Sequence, residues 1–198
     1  MSMIRGIVLD WDGVWTDGTK SAEGQSVFSE HDTMGINLLR FAHYLHTDSW
    51  LPVAVVTGER NLTAEHLVHR EHFDQFLFYA RDKTKTIPFL EDRWGIKASS
   101  WGFVFDDVLD FGLAEKVGRR AMVTWPATAH TQRLAQAKGL VDDWVDPPNP
   151  VRRWCEHYLH EQGWLEQAVA ERQSWSARYQ AYWALRNERE PECLDLSR

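Results

Sequence analysis

The stretch Ile4-Arg5-Gly6-Ile7-Val8-Leu9-Asp10-Trp11-Asp12-Gly13-Val14-Trp15-Thr16-Asp17-Gly18 decides the fold. An apolar run stops at two carboxylates one residue apart, with a glycine directly behind them. A short, continuous apolar run reads as a strand buried on both faces, the pattern of a parallel sheet. Open α/β sheets bind ligands just beyond the carboxyl ends of their strands, which is where Asp10 and Asp12 fall. Carboxylates this close repel unless a cation lies between them or one is protonated. The same pair would also serve as an Asx-turn or a helix N-cap, so the motif alone decides nothing about function.

Outward from this strand, apolar runs and helical periods alternate. Gly18–Lys20 and Ser26–Ser29 flank Ala22–Gln25 and predict a β-hairpin flap. Asp32 or Thr33 is placed to cap a helix carrying Ile36, Leu38, Leu39, Ala42 and Leu45. Leu51–Val56 is a second strand ending at Thr57-Gly58, followed by a helix over Asn61–Arg70 and a third strand at Phe76–Tyr79. Asp82 caps a helix running through Leu90 toward Trp94, and Trp101–Phe105 is a fourth strand ending at Asp106-Asp107. After a short helix come a fifth strand, Ala121–Val123, and a helix from about Ala127 to Ala137. Asp146-Pro147-Pro148-Asn149-Pro150 is a natural break, with helices beyond it at Val151–Tyr158 and Trp164–Asn187. Strands alternating with helices predict an α/β fold, a Rossmann-like, doubly wound parallel sheet. We divide it into a core, 1–162, and a Trp-rich helical C-terminal extension, 163–198.

The chain of 198 residues is long enough for a sizeable core, and its net charge of −7 argues against nucleic acid as a partner. No apolar stretch approaches membrane-spanning length, so no membrane partner is expected. Two cysteines, Cys155 and Cys193, are too few for a disulfide framework and point to the cytoplasm. The 11 tryptophans suggest burial against something, a second subunit included. His43/His46, His66/His69/His72 and His157/His160 are each spaced three apart. A zinc site needs three or four fixed ligands, and the spacing alone reads as exposed or partly buried histidines.

Several strands end in reactive residues, and parallel strands place those ends along one edge. The chemistry they suit is phosphoryl transfer through an aspartyl-phosphate. Asp10 is the candidate nucleophile and Asp12 the general acid, then base. Asp10, the backbone carbonyl of Asp12 and Asp106 form a hard-oxygen set suited to Mg²⁺. Thr57 and the Gly58 N–H are candidates for holding phosphate oxygens, and Lys83 for neutralising charge. Each has an ordinary alternative: a strand-end turn for Thr57-Gly58, a solvated helix residue for Lys83, an acid-rich helix start for Asp106, Asp107 and Asp110. Their joint order along the chain favours the catalytic reading.

That joint pattern resembles the haloacid dehalogenase superfamily of phosphatases. Asp10–Gly18 is similar to its first motif, Val56-Thr57-Gly58 to the second, Asp82-Lys83 to the lysine motif and Asp106–Asp110 to the acidic fourth. Thr16-Asp17-Gly18, Phe28–Ile36 and Val151–Glu156 are closest to the capless branch of octulosonate 8-phosphate and nonulosonate 9-phosphate phosphatases. The resemblance implies a Mg²⁺-dependent phosphatase of a small phosphorylated metabolite of the sugar-acid type. It also implies a homo-oligomer, usually a tetramer whose subunits roof each other's sites in place of a cap domain. Under it, Thr16, Asp32, Gly58, Glu59, Arg60 and Arg70 are candidate substrate contacts, with Asp107 and Asp110 behind the metal ligands. Three features depart from the family: Phe105 stands where glycine is usual, Asp146–Pro150 replaces a glycine-rich stretch, and the chain continues into the Trp-rich tail. The other readings kept open are the same core acting on a different substrate and a non-catalytic binding or assembly protein.

Overall fold

A computed structural model describes residues 3–197. The elements in chain order are β1 (Gly6–Asp10), α1 (Glu30–Thr47), β2 (Val53–Val56), α2 (Leu62–Arg70) and β3 (Gln75–Phe78). Next come α3 (Ile87–Trp94), β4 (Trp101–Phe105), α4 (Phe111–Ala114), β5 (Arg119–Val123) and α5 (Ala129–Ala137). The chain ends with β6 (Asp143–Val145), α6 (Pro150–Glu161), α7 (Leu165–Gln173), α8 (Ala177–Asn187) and β7 (Glu192–Asp195).

All seven strands are parallel, in the order β6-β5-β4-β1-β2-β3-β7. The chain leaves β1 toward β2 and β3, then returns to β4 on the other side. The topological switch point therefore lies between β1 and β4, where a crevice opens beyond the strand ends. Alternate residues of each strand feed opposite cores. Ile7 and Leu9 join the cluster under α1, α6 and α8, while Val8 joins the one under α3, α4 and α5. Phe105 lies in the second cluster, stacked on Phe103 and edge-on to Phe111, so its bulk stays away from the strand end.

α1 and α6 meet closely at Gly35, where a Cβ would stand 2.7 Å from the Arg152 Cα. The start of α1 is fixed from the same side. Ser29, rather than Asp32 or Thr33, caps it, and Asn149 Nδ2 donates to Ser29 Oγ. Asp32 is buried and accepts the Arg152 N–H at 2.8 Å. Arg40, fully buried in α1, donates to the carbonyls of Glu71 and His72, lies over Trp50 and faces Asp74 at 3.6 Å.

Three expectations are corrected. The flap is not a β-hairpin: 17–29 form an irregular loop, and only a tight turn, Ser21 N–H to the Gln25 carbonyl at 2.7 Å, remains of it. The expected long C-terminal helix is two, broken where Trp175 takes a φ of 50° and Ser176 caps α8. The tail is also not purely helical, because β7 pairs with β3 at the sheet edge. Tyr179 and Tyr182 of α8 sink into the main core against Phe41, whereas Trp175 is left 45% exposed. Among the described residues, no helix is long and apolar enough to cross a membrane.

Candidate active site

A cleft of about 880 Å³ opens at the switch point. Its floor is built from strand ends. Asp10 closes β1, and Asp106 follows β4 directly. The turn after Asp10 is anchored from beneath: Trp11 and Trp15 are buried, stacked at 6.4 Å, and Trp11 Nε1 donates to Ser26 Oγ. Gly13 adopts a φ of +81°, open to glycine at little cost. Its backbone also lies against Asp106, since a Cβ there would fall 2.0 Å from Oδ2.

Thr57 follows β2 and is held in register by its N–H to the Leu77 carbonyl, 2.9 Å. Lys83 opens a short 3₁₀ turn capped by the Asp82 carboxylate, which accepts the Thr84 N–H. That turn drives the lysine inward, 4% exposed, with Nζ 2.5 Å from Asp10 Oδ1 and in contact with Asp110 Oδ1. Asp107 caps the next turn by accepting the Val108 N–H, and Asp110 accepts the Asp107 N–H in return. The ordinary role as a helix-start acid thus holds for Asp107, while Asp110 also serves Lys83.

Carboxylate oxygens of Asp10, Asp106 and Asp110 all lie within 4.8 Å of one another. Among the described residues, Lys83 is the one ammonium set against these three acids. Burial, and then Asp110, push Asp10 up to about 7 despite Lys83. Burial, then Asp10 and Asp110, push Asp106 up to about 8. Burial works to lower Lys83, but Asp10 and Asp110 together hold it above its ordinary value. The cluster therefore carries more negative charge than it can hold at neutral pH. Hard oxygen donors lacking positive charge are what Mg²⁺ fits, and a divalent ion would let the acids ionise.

Asp12 stands above this floor. One carboxylate oxygen lies 2.9 Å from Lys20 Nζ; the other is buried without a partner, directed at no protein donor. Asp12, Gly58, Glu59 and Asp107 line the cleft with Asp10, Thr57, Lys83, Asp106 and Asp110. Four expected substrate contacts are not there within one chain. Thr16 Oγ1 accepts the Gly18 N–H, and Thr16 and Asp32 border a separate depression of about 220 Å³. Arg60 forks onto Glu65, and Arg70 pairs with Glu30 and Glu71. Neighbouring carboxylates satisfy both guanidiniums, which is why neither turns toward the cleft. Sequence reasoning missed Lys20, Arg81, Leu109 and the wall Trp125–Thr128. The wall follows β5, so its strand-end position was a usable signal. Trp125 Nε1 ties it to the Gly13 carbonyl at 2.7 Å.

No family model matches the sequence. Among solved structures, a Legionella pneumophila protein described as a haloacid dehalogenase superfamily (subfamily III A) hydrolase aligns with a TM-score of 0.70. It shares 23% identity, over 86% of this chain and 90% of that one. The chain has the haloacid dehalogenase fold.

Other proteins of that fold are similar over most of their length. A 3-deoxy-D-manno-octulosonate 8-phosphate phosphatase from Moraxella catarrhalis, solved with magnesium, phosphate and a KDO molecule, aligns with a TM-score of 0.68. Identity to it is 21%, over 84% of this chain and 92% of that one. In sequence, the 3-deoxy-D-manno-octulosonate 8-phosphate phosphatase KdsC of Salmonella typhi is 28% identical over 83% of this chain and 84% of its own length. Among the described residues no cap domain is inserted between Asp10 and Lys83: α1, β2, α2, β3 and the loops joining them account for that part of the chain.

Proposed function

We propose that this chain is a Mg²⁺-dependent phosphatase that hydrolyses a phosphomonoester of a small metabolite, a sugar acid phosphate of the octulosonate or nonulosonate type. The observation that carries it is the convergence of Asp10, Asp106, Asp110 and Lys83 on one point of the sheet edge. The names of the Salmonella and Moraxella phosphatases, and the magnesium, phosphate and KDO of the latter's structure, support the substrate class.

Asp10, the Asp12 carbonyl and Asp106 would hold Mg²⁺, which supplies charge neutralisation for the phosphate when bound. An Asp10 carboxylate oxygen attacks phosphorus, forming the aspartyl-phosphate as the bond to the ester oxygen breaks. The half-free carboxyl of Asp12 gives its proton to the departing alcohol. It then takes one from the water that attacks the same phosphorus, releasing inorganic phosphate and regenerating Asp10. Thr57 and the Gly58 N–H hold phosphate oxygens at the strand end. Lys83 favours the ionised form of Asp10 and orients it, and positioning and electrostatics do most of the catalysis.

Glu59 and the wall from Trp125 to Thr128 shape the leaving-group side. Arg60, Arg70, Thr16 and Asp32 take part only where a second copy, in a homotetramer, brings them to a neighbouring cleft. The two free cysteines fit a cytoplasmic protein. A panel of phosphorylated sugar acids, assayed for phosphate release with Mg²⁺ and with a chelator, tests the reading. Release from one or more members, abolished by the chelator, is expected. No release from any member or from an aryl phosphate would overturn it.

A further inference from the structure

Away from the cleft, the last strand of the chain meets the helix that leaves the Thr57–Arg60 loop. Glu65 and His69 sit four apart on α2 and so share one face. β7 brings Cys193 against that face, with Sγ 3.7 Å from His69 Nε2. A ligand atom from each of Glu65, His69 and Cys193 lies within 4.8 Å of the others. We propose that Glu65, His69 and Cys193 form a second metal site, for a borderline divalent transition ion such as Zn²⁺, that joins the C-terminal strand to α2.

The chemistry and the spacing agree. Thiolate, imidazole and carboxylate are the three ligand types Zn²⁺ takes. Zn–N of about 2.0–2.1 Å and Zn–S of about 2.3 Å at a tetrahedral angle separate N and S by roughly 3.6 Å. The observed 3.7 Å leaves the two atoms almost where a shared ion needs them. Three protein ligands leave the fourth position to water. The present partner of Glu65 is Arg60, whose side chain is 47% exposed. A surface pair of that kind is screened by solvent and holds only weakly, so it yields to an ion.

The contrast with the other clusters supports the choice. Asp143, His157 and Glu161 also approach one another, but buried Arg119 already forks onto Asp143 and reaches Glu161. The cleft offers only hard oxygens, which prefer Mg²⁺, so the two sites select different ions. On binding, the Cys193 thiol gives up its proton to solvent as the S–metal bond forms.

The test is a Co²⁺ titration of the full chain in excess Mg²⁺, read by absorption. One ion per chain with a near-ultraviolet thiolate-to-cobalt band and tetrahedral visible bands is expected. Cys155 is fully buried, so the band belongs to Cys193. C193S should remove the band, and C193S and H69A should each weaken binding on the order of tenfold or more. Zn²⁺ should raise the melting temperature of the wild type and not of C193S, while Mg²⁺-dependent phosphate release is unchanged in C193S. Absence of the band, or Co²⁺ affinity unchanged in both variants, would overturn the site and leave the proposed phosphatase untouched.

Discussion

The backbone of Gly13 lies against the Asp106 carboxylate so tightly that a single added carbon would fall 2.0 Å from Oδ2. The two residues are far apart in sequence, yet one constrains the other at the switch point between β1 and β4. Gly13→Ala must therefore displace Asp106 as well as strain a φ of +81°. We expect activity to fall on the order of 10²-fold, as misplacement by about 1 Å does. Steady-state rates together with circular dichroism check it; full activity with unchanged structure would contradict the assignment of Asp106.

Asp10→Asn removes the attacking carboxylate while keeping the shape. Turnover should drop by at least about 10³-fold, the scale seen when a nucleophile is lost. Lys83→Met should cost about 10²–10³-fold through lost charge stabilisation. Phosphate-release assays measure both, and a near-normal Asp10→Asn enzyme would remove that residue from the nucleophile role.

The pH response has a definite sign. Asp10 and Asp106 rise from 3.8 to about 7 and about 8, through burial first and then through neighbouring acids, Asp110 for Asp10 and both Asp10 and Asp110 for Asp106. Between those values the folded chain holds protons that the unfolded chain has released. Stability of the chelator-treated protein should therefore fall as pH climbs from about 4 toward about 8. Mg²⁺ should flatten that slope by stabilising the ionised acids. Melting temperatures across this range, with chelator and with Mg²⁺, supply the readout; a slope of opposite sign refutes it.

Asp74 tests the scaffold rather than the site. Its carboxylate accepts the Val53 N–H and Trp50 Nε1, both at 2.8 Å, and faces buried Arg40. Asp74→Ala would leave that guanidinium without its charge partner, at about 3–5 kcal/mol. A fall in melting temperature on the order of 10 °C is expected by calorimetry.

Light scattering addresses assembly. The proposed homotetramer predicts about four chain masses. A monomeric, fully active protein would remove any role of Arg60, Arg70, Thr16 and Asp32 at a neighbour's cleft.

Sequence by itself determined the sheet's class and most of the cluster. Gly6–Asp10 and Trp101–Phe105 are short continuous apolar runs, the first closing in Asp10 and the second followed by Asp106, the pattern of strands buried on both faces. Local signals also fixed Asp82 as a cap and Lys83 behind it. Where contacts span distant segments, the sequence was silent. Arg60 and Arg70 turn from the cleft because Glu65, Glu30 and Glu71 happen to stand beside them. β7 forms because the β3 edge offers unpaired backbone groups, not because Glu192–Asp195 has strong strand propensity. The closure of Gly13 on Asp106, and the meeting of Cys193 with His69, exist only once the chain has folded, since neither member of either pair carries any mark of the other.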